Sequence, residues 1–318
     1  MSDYLLAIDD VADDFREIME WAINFKQDDE VAPEFMPLEG MTIGSIYEKP
    51  STRTRVSFEV GINKLGGKPL TLLKNDIQLG KSETVGDTAK VLSRYLGCIT
   101  YRCFKHGDVT ELATESSVPV INALSDKHHP CQAAADIMTI MEKFGDESNL
   151  KVAWVGDGNN VLHDLMLACA MMGYDLYWAV PKGFEPDKDV VKRAKNIAEN
   201  TGSKLMETNN PSEAVTNSNV IYTDVHVSMG EENMKDKASA FEDFQVNDEL
   251  CKLAADDWIF LHCLPAHRGE EVTDQVIDSK NSLVFDQAEN RMWAQMSLLT
   301  YFIDRQAWET YSEMMEIR

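Results

Sequence analysis

Short apolar segments alternate with longer amphipathic segments along the first half of the chain. The short segments have the length and composition of buried strands, whereas the longer ones carry apolar residues at helical spacing. This alternation predicts strand, crossover helix and strand, which together build a parallel sheet covered on both faces. The predicted strands are residues 42–47, 69–73, 98–101 and 118–122, and the predicted helices are residues 5–25, 53–65, 87–96, 108–114 and 130–144.

The same alternation restarts after a polar linker at residues 145–149. Its predicted strands are residues 151–155, 176–180, 219–223, 258–262 and 283–285, with helices such as 161–172 between them. The final segment, residues 293–311, has a helical pattern and is expected to pack back on the first domain. We therefore predict an α/β fold with two doubly wound parallel-sheet domains of similar size. The domain boundaries predicted are residues 1–146 with the C-terminal helix 293–318, and residues 147–292.

Composition narrows the possible partners of this fold. The 318 residues include 30 Lys and Arg against 54 Asp and Glu, a net charge of −24, which disfavours nucleic acid and anionic membranes as partners. The longest clean apolar stretch, residues 165–172, is far shorter than the roughly 18 residues of a membrane helix. The acidic N-terminus lacks the layout of a signal peptide, so a cytoplasmic location is expected. Six cysteines without a CxxC pair and seven histidines without an HExxH motif predict neither a disulfide framework nor a metal site.

Polar residues follow the predicted strands at the sheet edge where parallel α/β folds bind ligands. Residues 51–55, Ser-Thr-Arg-Thr-Arg, lie between a strand and a helix, and their hydroxyls, helix-start N–H groups and two guanidiniums can bind a tetrahedral anion. The alternative is a helix capped by Ser51 or Thr52 with two solvated arginines. Two arginines at one helix start in so acidic a chain favour the anion site.

Four further residues at helix starts or strand ends are candidates for a ligand site. His129 and Gln132 lie at the start of a predicted helix, where Pro130 suits the first turn, although a capping histidine is the simpler alternative. Arg102 follows an apolar strand, where a guanidinium needs a partner that an anionic ligand would supply. Cys263 follows another strand, and its alternative role is that of a buried structural thiol.

A dinucleotide site is the rival enzyme class. Gly156 and Gly158 begin a GxGxxG-like pattern, but Val161 replaces its third glycine. The next predicted strand ends in Ala-Val-Pro-Lys, without the acidic residue that binds a ribose. Both departures count against nicotinamide binding.

Taken together, the motifs resemble the aspartate/ornithine transcarbamylase family, and the resemblance runs essentially end to end. STRTR at 51–55 and HPCQ at 129–132 are specific for the carbamoyl phosphate site of that family, while SMG at 228–230 and HCLP at 262–265 are typical of its ornithine branch. The resemblance implies carbamoyl transfer from carbamoyl phosphate to the side-chain amine of L-ornithine, giving L-citrulline and phosphate by direct amine attack. It also implies a homotrimer, or an assembly of trimers, with shared active sites and no metal or organic cofactor.

Site residues follow from the resemblance position by position. The phosphate and carbamoyl groups are assigned to Ser51, Thr52, Arg53, Thr54, Gln78 (from a neighbouring subunit), Arg102, His129, Gln132, Cys263, Leu264 and Arg291. Ornithine is assigned to Asn160, Asp224, Ser228 and Met229. Arg102, His129 and Cys263 are the predicted catalytic residues, with Cys263 orienting the amine or assisting its deprotonation.

One position departs from the family pattern. His226 stands where many relatives have tryptophan, which bears on the choice of acceptor amine. The alternatives are therefore a transcarbamylase for putrescine, acetylated ornithine or aspartate, and, more remotely, a dinucleotide-dependent dehydrogenase or a non-catalytic relative.

Overall fold

The computed structural model of the chain describes residues 4–28, 34–80, 82–145, 147, 149–227 and 237–317. The strands are β1 (Tyr4–Leu5), β2 (Thr42–Tyr47), β3 (Lys68–Leu73), β4 (Cys98–Arg102), β5 (Val120–Leu124), β6 (Lys151–Val155), β7 (Asp175–Ala179), β8 (Leu205–Thr208), β9 (Val220–Thr223) and β10 (Ile259–His262). The helices are α1 (Phe15–Gln27), α2 (Arg53–Lys64), α3 (Val85–Leu92), α4 (His106–Glu115), α5 (Pro130–Phe144), α6 (Asn160–Met172), α7 (Lys188–Thr201), α8 (Pro211–Val215), α9 (Lys237–Ala240), α10 (Asp248–Cys251), α11 (Asp274–Ile277), α12 (Val284–Ile303) and α13 (Arg305–Ile317).

The chain divides into two compact units, one formed by residues 1–138 and 289–318 and the other by residues 139–288. Each contains one five-stranded parallel sheet, with strand order β1-β5-β4-β2-β3 in the first and β10-β9-β6-β7-β8 in the second. In the second sheet the chain starts at the central strand β6, moves to the edge strand β8 and then crosses to β9 and β10 on the other side. In the first sheet β1 lies at one edge, and the chain then runs from β2 to the opposite edge strand β3 before it crosses to β4 and β5. The predicted fold class of two doubly wound parallel sheets is therefore confirmed.

The C-terminal helices belong to the first unit, as predicted. Ser297 Oγ donates to the carbonyl of Ile18 in α1 at 2.8 Å, and Tyr301 Oη donates to Asp14 at 2.6 Å. Tyr311 packs its ring against Trp21 and Phe25 with centroid distances of 4.9 and 5.4 Å. Apolar packing and buried hydrogen bonds together fix α12 and α13 against α1.

The core of the second unit is built from the inward faces of its strands. Val155, Ile221 and Phe260 are fully buried in one apolar cluster. Helix α6 is buried along almost its whole length, in accordance with a sequence that is apolar on nearly every face.

Three local predictions were wrong. Residues 5–11 are not α-helical, because Tyr4 and Leu5 pair with β5 and a single 3₁₀ turn at Ile8–Val11 follows. Residues 283–285 are not a strand, because α12 begins at Val284. Only the segment just before this helix runs beside β10, where Leu283 N donates to Phe260 O. The single C-terminal helix predicted for 293–311 is two helices that meet at Asp304.

Candidate active site

The carboxyl ends of the strands carry the residues singled out from the sequence. In the first unit, β2 leads to the segment 51–55, β4 ends in Arg102, and β5 leads to His129 at the start of α5. In the second, Asp224 directly follows β9 and Cys263 directly follows β10. Each unit therefore has its own polar cluster at the carboxyl ends of its strands.

Helix α2 begins in the first unit immediately after Thr52. Thr52 stands at the N-cap position, but its side chain makes no capping hydrogen bond, so capping does not account for its hydroxyl. Arg55 is half exposed and donates to Glu59 at 2.9 Å, one turn further along the helix. Of the two arginines predicted to face an anion, Arg55 is therefore engaged in an ordinary helical ion pair, which leaves Arg53 for that role.

Two buried guanidiniums converge on one hydroxyl. Arg291 Nη2 donates to Thr54 Oγ1 at 3.2 Å, and Arg102 Nη1 donates to the same oxygen at 3.5 Å. Arg102 and Arg291 are only 6% and 2% exposed. Burying two cations side by side is costly unless negative charge is supplied nearby, and a bound anion supplies it.

A further link fixes the side chain of Arg291. Arg291 Nη1 donates to Gln132 Oε1 at 2.6 Å, and Gln132 Nε2 donates to the fully buried Asp136 at 2.8 Å. A carboxylate accepts from the amide nitrogen of Gln132 and not from its oxygen, so Asp136 orients Gln132 with the amide oxygen toward the guanidinium. Asp136 was not among the predicted site residues, since an acid one helical turn after Gln132 carries no motif of its own.

His129 is neutral in this cluster. Burial is the main cause that lowers the pKa of its imidazole well below the ordinary value, and the positive charges of Arg291, Arg102 and Arg53 lower it further. Three guanidiniums close enough to act on one buried imidazole make this part of the first unit strongly positive. A neutral imidazole can still donate one hydrogen bond to a ligand oxygen.

The cluster of the second unit is centred on Asp224. Cys263 Sγ donates to Asp224 Oδ1 at 2.8 Å, and Asn159 Nδ2 donates to Asp224 Oδ2 at 2.9 Å. Asp224 is buried, while Cys263 remains partly accessible. The Cys263 thiol, predicted to act on the amine, is thus in direct contact with the Asp224 carboxylate, which is predicted to bind ornithine.

The loop after Cys263 is held in an unusual conformation. Leu264 has φ of 56°, in the left-handed region that non-glycine residues seldom adopt, at a cost of about 1–2 kcal/mol. Its N–H donates to His262 Nδ1 at 2.8 Å, so the proton of the imidazole lies on Nε2, which is 3.0 Å from Glu271 Oε1. Burial acts to raise the pKa of Glu271, but the hydrogen bonds from His262 and from the His267 N–H outweigh it and lower the pKa.

His226 packs beside this cluster. Its ring stacks on Phe241 with a centroid distance of 4.5 Å, and it is almost fully buried. Burial lowers the pKa of His226 to about 4, although Glu271, the Phe244 carbonyl and Asp224 act in the opposite direction. The imidazole is therefore neutral near pH 7 and packs as a flat, partly apolar ring against Phe241.

The remaining predicted residues differ in what the structure says of them. Asn160 is the first residue of α6 and is half-buried, whereas its neighbour Asn159 makes the contact with Asp224. Gln78 is exposed in this single chain and accepts a hydrogen bond from Ser82 at 3.1 Å. Ser228 and Met229 lie outside the described residues, and their predicted contacts to ornithine stay predictions.

In the second unit, the side chains that could bind a metal and the helix start that could bind a pyrophosphate already make hydrogen bonds within the chain. Asp224, His262 and Cys263 offer ligand atoms within 4.8 Å of one another, but their hydrogen bonds would have to be given up to bind an ion. At the start of α6, Asn159 Oδ1 accepts from the N–H groups of Val161 and Leu162, where a pyrophosphate would otherwise bind.

Two family models match the chain almost from end to end. Residues 4–142 match the carbamoyl-P binding domain of aspartate/ornithine carbamoyltransferases, and residues 148–302 match the Asp/Orn binding domain. The chain belongs to the aspartate/ornithine carbamoyltransferase family. The resemblance seen in the STRTR, HPCQ and HCLP motifs is thereby confirmed.

Individual relatives from this carbamoyltransferase family support the same assignment. The catabolic ornithine carbamoyltransferase of Thermoplasma acidophilum is 50% identical over 296 residues, which cover 93% of this chain and 96% of that protein. The solved structure of ornithine carbamoyltransferase from Pyrococcus furiosus, also 50% identical, has a TM-score of 0.91 and covers 94% of this chain and 96% of its own. The anabolic enzyme of Campylobacter jejuni, at 34% identity, has a TM-score of 0.90 and covers 96% of this chain and 100% of its own.

The polar cluster of each unit falls mainly within one of the two family matches. Thr54, Arg102, His129 and Gln132 fall within the carbamoyl-P binding match, and Asp224 with the thiol cluster falls within the Asp/Orn binding match. Arg291 lies in the segment matched by the Asp/Orn model, yet it bonds to Thr54 and Gln132 in the first unit.

Within the residues that the structure describes, every helix is too short or too polar to cross a bilayer.

Proposed function

We propose that this carbamoyltransferase transfers the carbamoyl group of carbamoyl phosphate to the side-chain amine of L-ornithine, yielding L-citrulline and phosphate. The observation that carries the proposal is the convergence of buried Arg102 and Arg291 on Thr54, beside a neutral His129, within the match to the carbamoyl-P binding domain. The high identity to ornithine carbamoyltransferases supports ornithine as the acceptor.

The phosphate of the donor is assigned to the start of α2. Helix N-termini leave N–H groups without intrahelical partners, and they favour negative charge. Arg53 adds a guanidinium there, and the hydroxyls of Ser51 and Thr52 add donors. As the bond between the carbonyl carbon and the phosphate oxygen breaks, negative charge grows on that phosphate, so these donors stabilise the leaving group.

The carbamoyl group is assigned to the Thr54 cluster. When the amine adds, the carbonyl oxygen becomes negatively charged, and its stabilisation is assigned to Arg102, His129 and Thr54. Because the neutral imidazole carries one N–H, it can donate to the oxygen without adding a further cation to two buried arginines. Gln132 and Arg291 are assigned to the same group and hold its orientation.

Ornithine is assigned to the Asp224 cluster of the second unit. Asp224 pairs chiefly with the α-ammonium, with Asn160, Ser228 and Met229 completing the amino-acid end. A free alkyl amine has a pKa of roughly 10.4, so the attacking amine must first lose a proton. Cys263 orients that amine and assists its deprotonation, and no covalent carbamoyl intermediate is needed.

Catalysis in this scheme comes from positioning and fixed charge. The amine nitrogen forms a bond to the carbonyl carbon, the phosphate departs with the electrons of the broken bond, and the amine proton is released. Orienting two small substrates contributes up to about 7–11 kcal/mol in well-arranged cases.

The acceptor is tested by a colorimetric assay for citrulline with purified protein, carbamoyl phosphate and ornithine. Parallel reactions contain putrescine, acetylated ornithine or aspartate, and phosphate release is measured in all of them. We expect phosphate and citrulline to form together with ornithine, and at least tenfold more slowly with each other acceptor. Phosphate release with another amine and not with ornithine would assign a different acceptor, and no release with any amine would contradict carbamoyl transfer.

Assembly and location complete the proposal. We propose a cytoplasmic homotrimer, or an assembly of trimers, in which the exposed Gln78 of one subunit contributes to the site of its neighbour. Relatives named catabolic and anabolic support a role in arginine metabolism. Light scattering on the purified protein should give three times the mass of the chain, or a multiple of that mass, and Gln78→Ala should lower turnover without dissociating the assembly.

A further inference from the structure

The carboxylate of Asp224 is held from two sides by different kinds of donor. Cys263 occupies Oδ1 at 2.8 Å, and Asn159 occupies Oδ2 at 2.9 Å. The thiol is partly accessible, whereas Asp224 is buried. Of these two donors, only the Asn159 side chain also caps a helix, namely α6.

The orientation of the Asn159 amide is determined by its role as the N-cap of α6. Asn159 is the N-cap of α6, with extended backbone (φ of −92°, ψ of −174°), and its Oδ1 accepts from Val161 N at 3.0 Å and from Leu162 N at 3.2 Å. Because the amide oxygen must face the helix, the amide nitrogen must point away from it, toward Asp224. The helix start thereby fixes the direction of the donor.

Few side chains can perform both tasks. An aspartate caps a helix as well as asparagine does, but it has no N–H to donate and would place a second negative charge beside Asp224. A serine also caps, but its hydroxyl is on a shorter side chain and carries one hydrogen instead of two. Asparagine combines a capping oxygen with a donor at the far side of the same planar group.

We infer that Asn159 is a positioning residue for the acceptor substrate: anchored by the start of α6, it holds the Asp224 carboxylate in place for the α-ammonium group of ornithine. This inference rests on the proposed function. The predicted binding of ornithine by the neighbouring Asn160 is a separate role, because the side chain that contacts Asp224 is that of Asn159.

The test is steady-state kinetics of citrulline formation for Asn159→Asp and Asn159→Ser. A hydrogen bond to a charged group contributes enough that its loss should raise the KM for ornithine about 10- to 100-fold. The KM for carbamoyl phosphate should stay within about twofold, because the Thr54 cluster is untouched.

A matched control comes from another helix start. Asn210 caps α8 by accepting from Ser212 N at 3.0 Å, so Asn210→Asp makes the same chemical change at an N-cap without Asp224 as its neighbour. This control should keep the wild-type KM for ornithine. All three variants should also keep a wild-type thermal midpoint within a few degrees, since each retains a capping side chain.

The outcomes separate the inference from the proposed function. If the wild type forms citrulline and both Asn159 variants keep its KM for ornithine, the inference is wrong and the proposed function stands. An equal rise of KM in Asn210→Asp would likewise overturn the inference, because the effect would then be a general one of added charge. If the wild type forms no citrulline, the proposed function fails and the positioning role fails with it.

Discussion

His226 gives the second unit a dependence of stability on pH that can be worked out from its surroundings. The ring is almost fully buried against Phe241, and burial lowers its pKa from 6.5 to about 4. Among the nearby charges, Glu271 and Asp224 raise the pKa and Lys237 lowers it, and burial outweighs them. As pH falls, the unfolded chain therefore binds the proton first, so stability present above pH 6.5 is lost between pH 6.5 and pH 4.

The size of this loss follows from the two pKa values. At pH 5.5 the shift of the pKa of His226 from 6.5 to about 4 moves the folding equilibrium about tenfold toward the unfolded chain. The free energy of unfolding is then about 1.4 kcal/mol lower than at pH 7.5. For a domain of about 150 residues, this free energy corresponds to roughly 3–6 °C in the unfolding midpoint. Measurements at pH 5.5 and above also stay clear of the isoelectric point near 4.6.

The perturbation is His226→Phe, which keeps an aromatic ring against Phe241 and removes the titrating group. Calorimetric unfolding of the wild type and the variant from pH 7.5 to 5.5 gives two curves whose difference cancels the titrating groups that do not interact with His226. We expect the wild type to lose about 1.4 kcal/mol more than the variant over this range. His226→Gln, which also cannot titrate there, should follow the phenylalanine variant. Parallel curves for the wild type and both variants would refute the reasoning, because His226 would then titrate alike in the folded and unfolded chain.

Three substitutions test the assigned roles of the two clusters. Arg53→Ala should lower kcat/KM for carbamoyl phosphate on the order of 100-fold in a citrulline assay, and near-normal activity would remove Arg53 from the phosphate site. Cys263→Ser should weaken ornithine use about tenfold while carbamoyl phosphate binding, followed by calorimetry, stays the same. A stable carbamoyl adduct on the Cys263 thiol, detected by mass spectrometry, would contradict direct amine attack. Asp224→Asn should raise the KM for ornithine on the order of 100-fold, since it removes a buried negative charge, and unchanged kinetics would exclude Asp224 from the acceptor pocket.

Periodicity predicted the elements that are buried and regular. Strands β2 and β6 and helix α5 begin and end where the pattern placed them, because continuous apolar runs and a proline at the first helical position are strong local signals. The edge strand β8, Leu205–Thr208, was not predicted, since its middle residues Met206 and Glu207 are exposed and its sequence lacks a buried face. The strand predicted at residues 283–285 was wrong for the opposite reason. An apolar triplet resembles a strand, but α12 begins within it and Phe285 is 71% exposed.

Motifs located the polar clusters, but they did not reveal which side chains hold them in place. Asp136 lies one helical turn after Gln132, and Glu271 lies nine residues after His262, so neither shares a motif position with the group it orients. Their roles depend on burial and on hydrogen bonds between separate segments, which a linear pattern does not encode. Asn159 was within reach of sequence reasoning, because an asparagine before an apolar helix is an N-cap signal, although its second bond to Asp224 requires the fold.

The central claim, that arginines of the first unit bind carbamoyl phosphate, is tested most directly by titrating that compound into the purified protein in a calorimeter without ornithine. We expect saturable heat with one binding site per chain, and a loss of that heat in Arg53→Ala. A folded wild-type protein that gives no saturable heat would contradict the claim, whatever the sequence of the chain resembles.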